Sequence, residues 1–152
     1  MDKIFNGKVK IIIGVVAIAL TFVIGLITKF SYSSNAVMTI IMSVAMLTFA
    51  NMLISKIFKL NISYILYMLG NIVGIFIAMF ILSKSEAMSS IYTIMFLVIM
   101  FVVLWIYHMC IMDMEGVGKR VFVSFAGTVC SVIFVALGTF IVITISVVLA
   151  IV

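Results

Sequence analysis

The segment 107–115, YHMCIMDME, holds the densest group of side chains that could bind a metal ion. On a helix, His108 and Met112 share one face at a spacing of four residues, and Cys110 and Met114 share another. Soft thiolate and thioether ligands select copper(I). However, thirteen methionines among 152 residues are a high background, and methionine is a common filler of apolar helices. We therefore expect no metal and no cofactor, and a copper site is the weaker alternative.

The apolar stretches of the chain contain no arrangement that suits catalysis. Hydrolysis inside a membrane needs a nucleophile with a base, or two carboxylates, within reach. His108 and Ser124 come nearest to such a pair, but no carboxylate in these stretches could orient the histidine. Proton-coupled transport usually needs a charged side chain inside the helix bundle, and these stretches contain none. We expect a protein that is not an enzyme.

The overall composition defines the solvent in which the chain folds. Hydrophobic residues make up 68% of it and charged residues 9%, whereas soluble domains are about half apolar and about a quarter charged. Thirteen charged side chains cannot cover a water-facing surface of this length. The composition predicts a multi-pass protein of a cell membrane, and the richness in Ile, Met, Phe, Lys and Asn indicates a bacterial source. No basic face exists that could follow a nucleic-acid backbone.

Polar residues divide the chain into five apolar stretches. A hydrocarbon core about 30 Å thick is crossed by about 20 residues of helix, and continuous apolar runs favour helices over the alternating strands of a barrel. We predict an all-α fold, a polytopic transmembrane helix bundle that forms one domain over residues 1–152. Its five spans are predicted at 11–28, 36–54, 62–82, 89–112 and 121–152.

The first and last spans each allow a second interpretation. The first follows a basic start, like a signal peptide, but it is longer than a usual signal core and no small-residue cleavage site follows it. The last has 32 residues, which as a helix measure about 48 Å. This span could tilt, protrude from the membrane, or bend near Gly138 into a partly re-entrant segment.

Basic residues fall mainly on one side of the predicted bundle. Five helices place alternate connections on opposite sides, and cytoplasmic loops carry the excess of Lys and Arg. Seven basic residues fall on one side and two on the other: Lys3, Lys8, Lys10, Lys56, Lys59, Lys119 and Arg120 against Lys29 and Lys84. The N-terminus is therefore predicted to be cytoplasmic and the C-terminus outside.

The tyrosines lie near the ends of the predicted spans. Tyr32 and Tyr92 fall toward outer ends, and Tyr64, Tyr67 and Tyr107 fall toward inner ends. Amphipathic rings prefer the headgroup level, so we expect these side chains to mark the two membrane surfaces.

Polar side chains inside the spans fall into two predicted layers. At about 1.5 Å per residue, one polar side chain on each of four spans lies near the midplane, and a second group lies near the inner surface. The candidate midplane site consists of Thr21, Ser43, Asn71 and Ser131, and the candidate inner-face site consists of Asn51, His108 and Ser124. Each layer could fix helix register through hydrogen bonds. Alternatively, the midplane layer could bind a small solute or ion, and His108 could act as a pH switch.

Small residues recur at a spacing of four along several spans. Close backbone packing holds helices together in lipid, where the hydrophobic effect does not. We expect Gly70, Gly74 and Ala78 of the third span, and Gly127 and Ser131 of the fifth, to form helix contacts within the chain or between copies.

Two classes of function remain open. The first is a non-enzymatic subunit of a homo-oligomer or of a larger membrane complex, of the kind used in secretion, immunity or defence. Its partners would be the lipid bilayer, further copies of itself and other membrane subunits. The alternative is a small channel or carrier with its polar site around Asn71.

Overall fold

A computed structural model describes residues 6–28, 32–84, 90–112 and 114–151 of the chain. The described residues form five helices: α1 (Gly7–Thr28), α2 (Tyr32–Phe58), α3 (Tyr64–Ser83), α4 (Ser90–Ile111) and α5 (Val117–Ile151). Each is long and apolar enough to cross a membrane. The predicted all-α class and the number of membrane-spanning helices are thus confirmed.

Identifiable residues begin helix α1 and end helix α2. Asn6 caps α1, because its side-chain oxygen accepts a hydrogen bond from the backbone N–H of Val9 at 3.0 Å. Lys59 follows α2 in the left-handed region with φ 51°. The N–H of the next residue, Leu60, then bonds back to the carbonyl of Ser55 at 3.0 Å, which is the closing bond of a Schellman motif.

Helix α2 lies at the centre of the bundle and contacts α1, α3 and α5. Lys10 of α1 bonds to Asn51 of α2, and Gly14, one turn further along α1, packs on the ring of Phe49, so the two helices run antiparallel. The C-terminal half of α2 belongs to the larger core cluster, which also draws on α3 and α5. That cluster comprises Leu47, Ala50, Ile54, Ile62, Tyr64, Tyr67, Met68, Met112, Met114 and Val123.

The last helix is continuous over 35 residues, from Val117 to Ile151. The interruption considered at Gly138 does not occur. Instead, Gly138 lets α5 approach α2 closely, because a Cβ atom there would lie 3.0 Å from Cγ of Met46 and 3.3 Å from Cγ of Met42. A helix of this length measures about 52 Å, so it must tilt or protrude to fit a bilayer.

Several of the predicted small residues form contacts between helices of the same chain. An added Cβ at Gly70 would overlap the ring of Tyr107 on α4, and one at Gly74 would lie 3.9 Å from the methyl groups of Leu104. A Cβ at Gly127 of α5 would lie 2.8 Å from Cε of Met112. The predicted stripes of α3 and α5 are therefore used, at these positions, to pack α3, α4 and α5 within one protomer.

Candidate functional site

A buried hydrogen-bonded network joins α3, α4 and α5. Asn71 of α3 places Nδ2 3.1 Å from Nε2 of His108 on α4. The other ring nitrogen of His108, Nδ1, lies 2.7 Å from the hydroxyl of Thr128 on α5. His108 and Thr128 have no exposed surface, and Asn71 is 3% exposed. Three helices are thus connected through one histidine ring.

The direction of each hydrogen bond in this network follows from the two side chains at its ends, which donate to backbone carbonyls. The Thr128 hydroxyl donates to the carbonyl of Ser124 at 2.9 Å, so it must accept from Nδ1 of His108. Nε2 then carries no proton and accepts from Nδ2 of Asn71, whose second N–H donates to the carbonyl of Tyr67 at 2.8 Å. The network therefore assigns a neutral histidine with its proton on Nδ1.

Tyr67 extends the network to a second residue of α5. Its hydroxyl lies 2.6 Å from that of Ser131. Ser131 itself donates to the carbonyl of Gly127 at 2.8 Å, so Tyr67 is the donor. The Tyr67 ring also stacks on the His108 ring, with centroids 5.3 Å apart and an interplanar angle of 13°. This stacking fixes the imidazole plane between α3 and α5.

A cavity of about 420 Å³ adjoins the network. Its walls come from the C-terminal half of α3, the middle of α4 and the middle of α5, with Thr39 of α2. Asn71 and Ser131 are polar members of the lining, which is otherwise mainly apolar and includes Leu82 and Val132. These two apolar residues are 53% and 42% exposed, so the cavity reaches the lipid-facing surface.

The predicted separation of Asn71 and His108 into two layers is wrong. Counting residues from the ends of the spans assigned Asn71 to the midplane and His108 to the inner surface. That count assumes helices that stand perpendicular to the membrane and end at a common depth. The hydrogen bond between the two side chains shows that the assumption does not hold for α3 and α4.

The other two residues of the predicted midplane layer do not join the network. Thr21 is buried, and its hydroxyl donates to the carbonyl of Ala17 in its own helix at 3.0 Å. Ser43 is also fully buried, and its hydroxyl has no hydrogen-bond partner among the described residues. Of the four predicted residues, Asn71 and Ser131 alone line the cavity.

The predicted inner-face residues occupy two separate places. Asn51 accepts a hydrogen bond from the ammonium group of Lys10 at 2.8 Å, which joins α2 to α1. Ser124 accepts one from the indole N–H of Trp105 at 3.0 Å and is linked to His108 only through Thr128. The three side chains therefore do not form one site.

Two members of the network were not singled out from the sequence. Tyr67 was expected at the membrane surface, yet it is completely buried. Its position four residues before Asn71 places both on one helical face, which was the available signal. Thr128 lies four residues after Ser124 and three before Ser131, so the same periodicity indicated it.

Tyr64, which was also expected at the membrane surface, is buried, and its hydroxyl lies 2.9 Å from that of Thr48.

The side chains considered as copper ligands have different contacts and different exposure in the structure. Both nitrogens of His108 are engaged by Asn71 and Thr128. Met112 is buried against Gly127, whereas Cys110 is exposed. Among the described residues, which leave out Asp113, no three His, Cys, Asp or Glu side chains are grouped as metal ligands would be.

The fold and the site together describe a multi-pass helical membrane protein with a polar network and an adjoining cavity between three of its helices. Comparisons with protein-family models, with curated proteins and with solved structures find no match.

Proposed function

We propose that this chain is a non-enzymatic membrane protein of the channel or carrier class that binds a small molecule in the cavity between α3, α4 and α5. The observation that carries the proposal is the position of the cavity, which meets the buried network at Asn71 and Ser131. Small-molecule sites are typically apolar cavities of about 300–1,000 Å³ with a few fixed polar groups. The cavity has a volume in this range, 420 Å³, and a lining of this kind.

The arrangement of the network supports binding rather than catalysis. A catalytic histidine needs a free nitrogen directed at a reacting group. Here Nδ1 and Nε2 of His108 are both held by neighbouring helices, and the ring is packed against Tyr67. The network thus acts as a rigid support for the polar end of the cavity.

Photolabelling in lipid nanodiscs tests this proposal. The probe is a dodecyl chain that carries a diazirine, and mass spectrometry locates the cross-linked residues. We expect cross-links concentrated at lining residues of α3, α4 and α5, with at least about a tenfold decrease in Ala78→Phe, since the larger ring fills the cavity. Ala19→Phe, on the exposed face of α1, is the matched control and should keep the wild-type pattern. Labelling spread evenly over all lipid-facing residues, and unchanged in Ala78→Phe, would contradict the proposal.

A subunit of a homo-oligomer or of a larger membrane complex is the second candidate. The observation that favours it is the N-terminal part of α4. Between residues 90 and 103, only Thr93 is buried, and the remaining surface is largely apolar and exposed. Such a surface could accept another membrane helix. The glycines of α3 do not favour this candidate, since α4 already covers Gly70 and Gly74.

We also propose the orientation and the location that the charges indicate. The N-terminus would be cytoplasmic and the C-terminus outside, in the inner or plasma membrane of a bacterium. The distribution of Lys and Arg supports this orientation.

A further inference from the structure

The hydrogen-bond donors that line the cavity are already used by the protein itself. Four polar side chains belong to the lining: Thr39, Asn71, Ser131 and Thr139. Each of the three hydroxyl groups donates to a backbone carbonyl of its own helix, at 2.8, 2.8 and 3.0 Å. The two N–H groups of Asn71 are taken by Tyr67 and His108. None of these four side chains has a donor left for a ligand.

Asn71 nevertheless keeps an acceptor. Both of its hydrogen bonds are made through Nδ2, so Oδ1 has no donor partner among the described residues. The residue is 3% exposed and belongs to the cavity lining. An amide oxygen that faces an apolar cavity open to lipid lacks the hydrogen bonds that water would donate, and a ligand that donates a hydrogen bond to it would supply one.

The charges of the lining residues restrict the chemical class of the ligand further. Among the residues that the structure describes, which leave out 85–89, no Lys, Arg, Asp, Glu or His lines the cavity. A carboxylate or phosphate would find neither a cation nor a free donor there. An ammonium group would be buried without a counter-ion, which is strongly unfavourable. The cavity therefore suits a neutral group that donates a hydrogen bond.

We propose that the cavity binds a neutral amphiphile whose hydroxyl group donates to Oδ1 of Asn71 and whose hydrocarbon tail lies between α3, α4 and α5. This inference rests on the proposed binding function and adds the chemical class of the ligand. Along α3, the lining runs from Asn71 to Leu82, which corresponds to about 16 Å of helix. The tail thus has an extended apolar path that ends at the lipid-facing surface.

Competition against the diazirine probe in nanodiscs tests the ligand class. The competitors are 1-dodecanol, dodecyl methyl ether and dodecanoate, compared at equal concentrations in the bilayer. The ether keeps the tail and an acceptor but has no donor, whereas dodecanoate brings a charge. Since a neutral hydrogen bond contributes about 1 kcal/mol, we expect the alcohol to compete about five times better than the ether. Dodecanoate should compete least.

The variant Asn71→Leu tests whether Oδ1 of Asn71 accepts the hydrogen bond from the ligand. This variant should reduce competition by the alcohol to the level of the ether and leave competition by the ether unchanged. Asn61→Leu, at an exposed position outside the spans, is the control and should keep the wild-type preference. The wild-type comparison needs no variant, so it decides the question even if Asn71→Leu does not fold.

The outcomes separate this inference from the proposed function. Equal competition by alcohol and ether, with cross-links still concentrated at the cavity, would overturn the inference and leave the binding function intact. Stronger competition by dodecanoate would overturn it in the same way. An absence of cavity labelling would overturn both.

Discussion

The Asn71 amide donates a hydrogen bond to Nε2 of His108, 3.1 Å away, and so joins two helices through two buried residues. Asn71→Leu leaves this nitrogen without a donor, and His108→Phe removes it while keeping a ring to stack on Tyr67. Each single variant should therefore lower the free energy of unfolding by about 1–2 kcal/mol. A double-mutant cycle in detergent should give a coupling of about 1 kcal/mol.

A second cycle serves as the control for that coupling. Trp105 hydrogen bonds with Ser124 rather than with Asn71, so Asn71→Leu and Trp105→Phe should be additive to within about 0.5 kcal/mol. Equal couplings in the two cycles would show that Asn71 and His108 do not interact directly.

Two glycines of α3 should respond differently to the same substitution. Gly70→Ala introduces a methyl group into the space of the Tyr107 ring, which is held by a 2.6 Å hydrogen bond to the carbonyl of Leu66. We expect a loss of about 1–3 kcal/mol. Gly74→Ala meets only the methyl groups of Leu104 at 3.9 Å and should be neutral or stabilising by up to about 1 kcal/mol, since it lies inside a helix. Thermal unfolding of the two variants checks this order, and indistinguishable melting temperatures would contradict the packing of α3 on α4.

The loop before α5 contains a glycine that the backbone requires. Gly116 has φ 88°, a conformation that costs other residues about 1–2 kcal/mol. Gly116→Ala should destabilise the protein by about that amount, although nothing lies within 4 Å of the added Cβ. Gly118→Ala, inside α5 and equally unobstructed, should be neutral or stabilising by up to about 1 kcal/mol. The reverse order of stability would be incompatible with this loop conformation.

The proposed orientation predicts which connections face the outside. In a background without Cys110 and Cys130, a single cysteine at Lys84 should react with an impermeant thiol reagent in intact cells. Cysteines at Asn61 and Glu115 should react only after the membrane is opened, because the basic connections are expected in the cytoplasm. These three positions are exposed. If the cysteine at position 61 reacted in intact cells and the cysteine at position 84 did not, the protein would have the opposite orientation.

The five helices could be predicted from the sequence because a lipid environment imposes a simple requirement on the backbone. Backbone groups in hydrocarbon must bond within a helix, so apolar runs between charged residues predict the spans. Lys59 and Gly116 lie just outside two such runs, and the backbone has a positive φ at both. The sequence could not predict that Asn71 meets His108, since helix tilt decides which depths coincide. Nor could it predict that Tyr67 is buried, because a tyrosine near a span end fits either a membrane surface or a neighbouring helix.

Native mass spectrometry of the protein, extracted from its own membrane, shows whether the cavity between α3, α4 and α5 holds a small molecule. We expect the wild-type protein to carry a small-molecule adduct, which should be lost in Ala78→Phe and kept in Ala19→Phe. The lost adduct would reflect a filled cavity, since Ala78 belongs to its lining and Ala19 does not. A wild-type protein that carries no adduct, or the same adduct in both variants, would contradict the claim that this cavity is the functional site.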